Sequence, residues 1–209
     1  MKIVLATHNL DKRTELIPLL DPLGVQLLTL EDFPAIGNIV EDGETFEKNA
    51  LIKAKAVFSL TGLPALADDT GLEVEALKGA PGVYSARYAG AHCSYTDNVR
   101  KLLTEMTNIA PGNRLAKFRT VMAFFNGSLE LTTEGTVEGK ILEQPKGVGG
   151  FGYDPVFYIH KMNKTFAQMT TYEKSKISHR GIAVRKMSEL LSHHFPFVHT
   201  SESLIKETA

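Results

Sequence analysis

The chain has 209 residues, which is enough for one substantial domain or for two smaller lobes that share a core. Its 23 Lys and Arg residues balance 24 Asp and Glu residues, so no overall basic charge favours a polymeric nucleic acid as partner. No segment reaches the roughly 18 consecutive apolar residues of a membrane span, and the N-terminal apolar run is too short for a signal peptide. We therefore expect a cytoplasmic protein that binds no membrane.

The chain begins with a predicted strand over residues 2–6, a polar loop and a helix that Pro18 should shorten or kink. A strand–loop–helix unit presents backbone N–H groups and the positive end of a helix, which favours an anion. Thr7, Asn9 and Lys12 add a hydroxyl, an amide and a cation to this loop. The pattern alone is a weak indication, because most such loops bind nothing.

A second strand is predicted over residues 25–30, followed by an acidic loop over 36–44 and by a helix with Thr45 as its N-cap. Asn49 and Lys53 lie four positions apart on one face of this helix. Taken alone, these two residues are expected to form a solvated face.

Residues 63–72 combine an apolar run with two adjacent carboxylates, Asp68 and Asp69. The run predicts a buried strand that ends at these carboxylates, and a half-buried strand is predicted to follow over 72–77. A buried carboxylate needs a cation or a donor, and ligands bind at the carboxyl ends of strands in open α/β sheets. A metal-binding or catalytic aspartate and a plain strand-ending turn are both compatible with this segment.

A capping box at Ser94 predicts a helix over 94–106, and Asn126-Gly127 predicts a hairpin between two strands. The single cysteine, Cys93, cannot form an intramolecular disulfide and is expected to pack as a small apolar residue. A nucleophilic role is the alternative for this thiol, although no histidine stands out as its partner.

Two further segments resemble ligand-binding loops. Residues 146–155 contain four glycines within six positions, so their backbone can approach a ligand, and Phe151 and Tyr153 can stack on a planar base. Residues 173–181 place cations and a histidine before a final helix that has Ser178 as its expected N-cap. Such a cluster suits phosphate, although most charge runs are solvated surface.

These segments occur together in a characteristic order: Thr7-x-Asn9-x-x-Lys12, 41–50, 67–72, 79–88, 149–155 and 178–181. This set resembles the inosine/xanthosine triphosphate pyrophosphatase family over about residues 2–192. The resemblance implies one α/β domain over 1–195, with a polar tail over 196–209. It implies an elongated, two-lobed fold around a long mixed β-sheet, an active-site cleft between the lobes, and a homodimer.

The implied activity is the Mg²⁺-dependent hydrolysis of purine nucleoside triphosphates (ITP, dITP and XTP) to the monophosphate and pyrophosphate. Glu41 and Asp69 would hold Mg²⁺, Asp69 would accept the proton of the attacking water, and Lys53 would help to hold the triphosphate. Apart from the resemblance, Asp68 is expected to support Asp69 from behind, and its exact role stays open. The implied substrate-binding residues form a phosphate group, one neighbour of Asp69, and a nucleobase group. They are Thr7, His8, Asn9, Leu10, Asp11 and Lys12; Thr70; and Phe151, Gly152, Tyr153, Asp154, Lys174, His179 and Arg180.

The chemistry agrees with these residue types. A 6-oxo purine offers an acceptor where adenine has an amino donor, so donors such as Lys174 or Arg180 favour the oxo base and repel the amino base. Stacking on Phe151 would add affinity without selectivity. His8 departs from the glycine that often occupies this position, and its side chain can either crowd a phosphate or donate to it.

Two other functions remain open at this point. One is a pyrophosphatase for other modified nucleotides, such as modified pyrimidines. The other is a nucleotide sensor without turnover, although the presence of Lys12, Glu41 and Asp69 argues against it.

Overall fold

A computed structural model describes residues 1–195, so the predicted tail over 196–209 lies outside the described residues. Seven strands occur: β1 Lys2–Leu5, β2 Gln26–Thr29, β3 Ala65–Val74, β4 Leu115–Phe125, β5 Glu130–Ile141, β6 Phe157–Ile159 and β7 Lys164–Thr165. The α-helices are α1 Leu10–Leu20, α2 Phe46–Thr61, α3 Tyr95–Glu105, α4 Thr171–Ile177 and α5 His179–His194. Within these residues, every helix is too short or too polar to cross a membrane.

The strands form one seven-stranded sheet in the order β2-β1-β3-β4-β5-β6-β7. Strand β1 pairs in parallel with β2 and with β3, whereas β6 is antiparallel to both β5 and β7. The sheet is therefore mixed, and the predicted α/β class is confirmed.

The chain divides into two compact units, and β3, β4 and β5 each contribute residues to both. Among the described residues, the first unit comprises 1–69, 121–135 and 180–195. Its core combines strand residues with the inner faces of α1 and α5, which bury apolar side chains against each other. These are Ile3, Leu5, Leu16, Leu20, Leu23, Leu66, Met122, Phe124, Ala183, Val184, Met187 and Leu191.

The second unit comprises residues 70–120 and 136–179. Its core is richer in aromatic rings, and Phe118 packs edge-on against Phe157 with ring centroids 4.6 Å apart. The other buried members come from β3, α3, β4, β5 and the segments around β6. They are Leu72, Val74, Val99, Leu102, Met106, Ala116, Ile141, Tyr153, Val156, Ile159, Phe166 and Met169.

Several predicted elements are confirmed close to their expected bounds. Thr45 caps α2 by accepting from the Lys48 N–H, and Ser94 and Asp97 form the expected capping box of α3. Strands β4 and β5 flank Asn126-Gly127 and are neighbours in the sheet. Local capping and turn chemistry fixed these elements, which is why their positions could be read from short patterns.

The structure corrects the expected strand end at Asp68-Asp69. Strand β3 runs without interruption from Ala65 to Val74, so both carboxylates lie inside a ten-residue strand, and the separate strand over 72–77 is wrong. The turn alternative is therefore also wrong. Successive side chains of a strand point to opposite faces, so Asp68 and Asp69 meet different surroundings.

Two helix boundaries also differ from the sequence prediction. Helix α1 begins at Leu10, inside the segment expected to be a loop, because Asn9 caps it by accepting from the Lys12 N–H. The cation run is not a loop before the final helix, because it forms α4. Ser178 is the C-cap of α4 and also directly precedes α5, which is the position expected for the N-cap of the final helix. Thr170 and Glu173 form a capping box that starts α4 and makes this short helix possible.

Candidate functional site

The loop after β1 is shaped by its own polar side chains. The Thr7 hydroxyl accepts from the Asn9 N–H at 3.2 Å, and the Asn9 side chain accepts from the Lys12 N–H at 3.0 Å. The His8 ring donates to the Gly37 carbonyl at 3.2 Å on the exposed side of the loop. The result is a capped helix N-terminus with the ammonium of Lys12 in its first turn, an arrangement that suits an anion.

Asp68 is the buried anion behind this loop, with 1% of its surface exposed. Its Oδ2 lies 3.0 Å from Lys12 Nζ and 3.5 Å from Arg180 Nε. Burial opposes ionisation, but the charges of Lys12, Arg180 and Lys53 outweigh it, so the pKa of Asp68 lies below its usual value. Arg180 also pairs with Glu15, which gives the first unit a linked set of charges at α1 and α5.

Asp69 lies on the other face of β3, with Lys53 and Glu41. Lys53 Nζ is 2.8 Å from Glu41 Oε2 and 3.8 Å from Asp69 Oδ1, and it donates to the Asp68 carbonyl at 2.6 Å. Burial raises the pKa of Asp69 above its usual value, although Lys53 and Lys12 oppose this shift. For Lys53, burial is outweighed by Asp69, Asp68 and Glu41, so its pKa is raised and the ammonium stays charged.

The solvated face expected for Asn49 and Lys53 is wrong. Only 1% of Asn49 and 7% of Lys53 is exposed, because the face of α2 that carries them packs on Asp69. Asn49 Nδ2 donates to Asp69 Oδ2 at 3.1 Å, and its Oδ1 accepts from the Gly43 N–H at 2.8 Å. Contacts with β3 and with the acidic loop compensate the burial of these two polar residues. The sequence pattern of α2 alone cannot reveal such contacts.

The carboxylates of Glu41 and Asp69 have the chemistry of a Mg²⁺ site. In residues 1–195 no group of three or more His, Cys, Asp or Glu side chains could hold a metal ion by itself. Glu41 and Asp69 nevertheless both lie within 4 Å of one ammonium nitrogen, so a cation can meet both at once. Mg²⁺ is commonly held by one or two carboxylates together with substrate phosphates and water, so the donor set fits this metal.

A second group of predicted residues lies in the second unit, around Asp154. This carboxylate accepts from Lys174 Nζ and from the Phe151 N–H, the latter at 2.9 Å. The ammonium of Lys174 also lies 5.1 Å from the centroid of the Phe151 ring. A Cβ at Gly150 would come 2.0 Å from Asp154 Oδ2, so the glycine permits this close approach. Asp154 therefore organises the loop and the lysine at the same time.

The remaining predicted residues of the second unit are also held in place. The Tyr153 hydroxyl donates to the Ser85 carbonyl at 2.9 Å, and Gly152 adopts a left-handed backbone with φ of 61°. The His179 ring stacks on Phe118, with centroids 4.6 Å apart and planes 12° apart. The Thr70 hydroxyl is 2.6 Å from that of Thr120.

The structure thus groups the predicted residues by unit. Thr7 to Lys12, Glu41, Asp69 and Arg180 belong to the first unit, and Thr70, Phe151 to Asp154, Lys174 and His179 belong to the second. Leu10 and Asp11 occupy the exposed start of α1. Arg180, expected beside the base, pairs with Asp68 and Glu15 in the first unit.

Sequence reasoning missed several residues that hold the others in place. Glu15 pairs with Arg180, Thr120 contacts Thr70, and Phe118 stacks on His179. A signal existed for Thr120, a fully buried polar residue that directly precedes the buried apolar run over 121–124 of β4. No local pattern marks Glu15, because its partner lies 165 positions away.

The chain was compared with models of protein families and with known proteins, and it matches one family over most of its length. A model of the Ham1 family matches residues 3–190. A dITP/XTP pyrophosphatase of Desulforamulus reducens is 50% identical over 194 residues, which cover 92% of this chain and 96% of that protein. One of Thermus thermophilus is 53% identical over 191 residues, covering 90% and 91% of the two chains.

A solved structure agrees with these relatives. The Ham1 protein of Staphylococcus aureus superposes with a TM-score of 0.84 at 35% identity, covering 93% of this chain and 100% of that one. The fold and the charged site define an α/β protein of nucleotide-hydrolase type. The chain belongs to the Ham1 family, so the resemblance found in the sequence is confirmed.

Proposed function

We propose that the chain is a Mg²⁺-dependent nucleoside triphosphate pyrophosphatase that hydrolyses deaminated purine nucleotides to the monophosphate and pyrophosphate. The observation that carries this proposal is the convergence of Glu41, Asp69 and Lys53 beside the capped loop before α1. Relatives that are about half identical over nine-tenths of the chain bear the name dITP/XTP pyrophosphatase, which supports the same activity here. ITP, dITP and XTP are the proposed substrates.

The first unit carries the proposed hydrolytic chemistry. The segment from Thr7 to Lys12 binds the triphosphate through backbone N–H groups, side-chain donors and the Lys12 ammonium. Glu41 and Asp69 would hold Mg²⁺, which would supply positive charge against the phosphate oxygens. Lys53 adds a fixed positive charge at the same place.

Asp69 has the proposed role of proton acceptor. In the metal-free protein burial raises the pKa of Asp69 above its usual value, which favours proton uptake by this carboxylate. It takes a proton from a water molecule as the water oxygen attacks the α-phosphorus in line with the bond to the leaving pyrophosphate. Thr70 follows Asp69 in β3 and is a proposed substrate contact, and its hydroxyl lies 2.6 Å from that of Thr120, which would hold it in place.

The second unit supplies the proposed base recognition. Phe151 stacks on the purine, and Gly152 and Tyr153 shape the loop around it. Lys174 and His179 are the candidate donors to the oxo group, whereas the buried Arg180 stays paired with Asp68 and Glu15 in the first unit. Asp154 acts by holding Lys174 and the Phe151 N–H.

A pyrophosphate-release assay with Mg²⁺ across ITP, dITP, XTP, GTP, ATP and dTTP tests this proposal. We expect kcat/KM for ITP, dITP and XTP to exceed that for ATP by at least about 100-fold, because a donor facing the adenine amino group is repulsive. Equal values for ATP and ITP would contradict the base assignment. Binding without turnover of any nucleotide would instead indicate a sensor. A homodimer in the cytoplasm stays a prediction, tested by sedimentation and cell fractionation.

A further inference from the structure

The amide of Asn49 connects two parts of the first unit that carry proposed metal-binding carboxylates. Its Nδ2 donates to Asp69 Oδ2 at 3.1 Å, and its Oδ1 accepts from the Gly43 N–H at 2.8 Å. Gly43 lies in the loop that carries Glu41, two positions further along the chain. The amide is therefore a bridge between β3 and this loop.

The bridge complements the contacts of Lys53 on the same face of α2. Asp69 Oδ1 faces Lys53 Nζ at 3.8 Å, whereas Asp69 Oδ2 faces the Asn49 amide. The two oxygens of the carboxylate thus meet two residues that lie one helical turn apart. Rotation of the carboxylate would break the hydrogen bond with Asn49.

The loop is built to approach the amide closely. A Cβ at Gly43 would lie 2.6 Å from Asn49 Oδ1 and 2.8 Å from Lys48 Cβ. Any larger residue at this position would displace the amide or the loop. The bridge also needs a donor at one end and an acceptor at the other, which an asparagine side chain provides in one group.

We propose that Asn49 is a positioning residue, which fixes the orientation of the Asp69 carboxylate and ties the Glu41 loop to it. The inference rests on the proposed function, since it concerns how the metal and the attacking water are presented. Asn49 needs no contact with substrate for this role. Its loss should weaken metal binding and kcat, with a smaller effect on KM for the nucleotide.

The test compares Asn49→Ala with Gly43→Ala, with the double variant and with a matched control, Asn98→Ala. Asn98 is equally buried, accepts from the Ala89 N–H and donates to the Ala86 carbonyl, and lies in the second unit. Its loss removes a buried amide bridge of the same kind without touching Asp69. Thermal melting reports the stability of each variant, and electron paramagnetic resonance reports Mn²⁺ affinity without nucleotide.

We expect Asn49→Ala to weaken Mn²⁺ binding and to lower kcat for dITP by about 10- to 100-fold, the usual effect of losing a partner of a metal ligand. Gly43→Ala should lower Mn²⁺ affinity and kcat in the same way, with Asn49 still present. This variant therefore tests the positioning role of Asn49 if Asn49→Ala fails to fold. The double variant should be no worse than the more damaged single variant, because both changes break one bridge. Asn98→Ala should keep Mn²⁺ affinity and kcat.

The outcomes separate this inference from the proposed function. Equal Mn²⁺ affinity in wild type and Asn49→Ala would overturn the positioning role, as would equal losses of kcat in Asn49→Ala and Asn98→Ala. A wild-type protein that binds no Mn²⁺ would overturn it as well. If the wild type hydrolysed no nucleotide, the proposed function would fail, while the Mn²⁺ comparison would still decide the role of Asn49.

Discussion

In the first unit three cations and four carboxylates form a network of two ion-pair clusters, which Lys53 connects by donating to the Asp68 carbonyl. Around Asp154 in the second unit, by contrast, an ion pair lies among aromatic rings. The members of the network are Lys12, Lys53, Arg180, Glu15, Glu41, Asp68 and Asp69. Around Asp154, the ammonium of Lys174 lies about 5 Å from the rings of Phe151 and Phe166. The first arrangement suits phosphates and a metal ion, and the second suits a flat base with few polar atoms.

The two regions differ in how their buried charges are compensated. Buried ions are tolerated when partners surround them, and the network of the first unit has one more carboxylate than cations, which favours the arrival of a divalent cation. The pair of Asp154 and Lys174 is balanced by itself. We therefore expect changes in the first unit to affect turnover and stability, and changes in the second to affect substrate choice.

The largest expected effect is that of Asp69→Asn. The amide keeps the shape of the side chain but cannot accept a proton from water, so kcat for dITP should fall by about 100- to 10,000-fold. The measurement is pyrophosphate release, with thermal melting and the binding of a non-hydrolysable dITP analogue as controls. A variant with near-wild-type kcat would show that Asp69 is not the proton acceptor.

Asp68→Asn and Asp69→Asn should differ in stability although they are neighbours. The folded pKa of Asp68 is lowered, so its ionised form stabilises the fold above the unfolded pKa, and that contribution is lost when Asn replaces it. The folded pKa of Asp69 is raised, so its ionised form costs stability at neutral pH, and Asn should relieve that cost.

Urea unfolding at about pH 7 without divalent metal measures both changes. We expect Asp68→Asn to lose about 3–5 kcal/mol, because Lys12 and Arg180 would keep their buried charges without the carboxylate. Asp69→Asn should unfold at the same or a higher urea concentration than wild type. Equal destabilisation of the two variants would contradict the claim that Asp68 is stabilised as an anion and Asp69 is not.

Phe151→Ala should have a smaller effect, confined to substrate binding. Stacking of a base on an aromatic ring contributes about 1–3 kcal/mol, so KM for dITP should rise by about tenfold or more while kcat changes less. Steady-state kinetics separates the two constants, and Tyr172→Ala serves as control because Tyr172 is 71% exposed on α4. A fall in kcat alone would place Phe151 in the hydrolytic chemistry.

The smallest expected effect belongs to Glu173→Gln, in the helix that carries Lys174. Hydrogen bonds from Lys164 and from the Thr170 N–H lower the pKa of Glu173 to about 2, from an ordinary value of 4.5. Its stabilising contribution is therefore complete above about pH 4.5 and is lost as the pH falls toward 2. Melting temperatures of wild type and variant should differ slightly at neutral pH and converge in acid, and a constant difference would contradict this pairing.

The sequence allowed prediction of those features that local chemistry determines. Capping patterns placed α2 and α3, the Asn-Gly turn placed the hairpin, and the six ordered segments led to the family. The continuity of β3 through Asp68 and Asp69 could not be predicted, since two carboxylates are tolerated in a buried strand only when distant cations compensate them. The contacts of Asn49 and of Arg180 depend on the same long-range packing.

The most direct test of the division between the two regions is the ratio of kcat/KM for dITP to that for dATP in three proteins: wild type, Asp69→Asn and Lys174→Met. Asp69→Asn is expected to lower kcat/KM for dITP and for dATP alike and to leave their ratio unchanged, because it removes chemistry that both substrates need. Lys174→Met is expected to lower the ratio by about tenfold or more, because a donor to the oxo group is lost. An unchanged ratio in Lys174→Met, or a changed ratio in Asp69→Asn, would contradict the account.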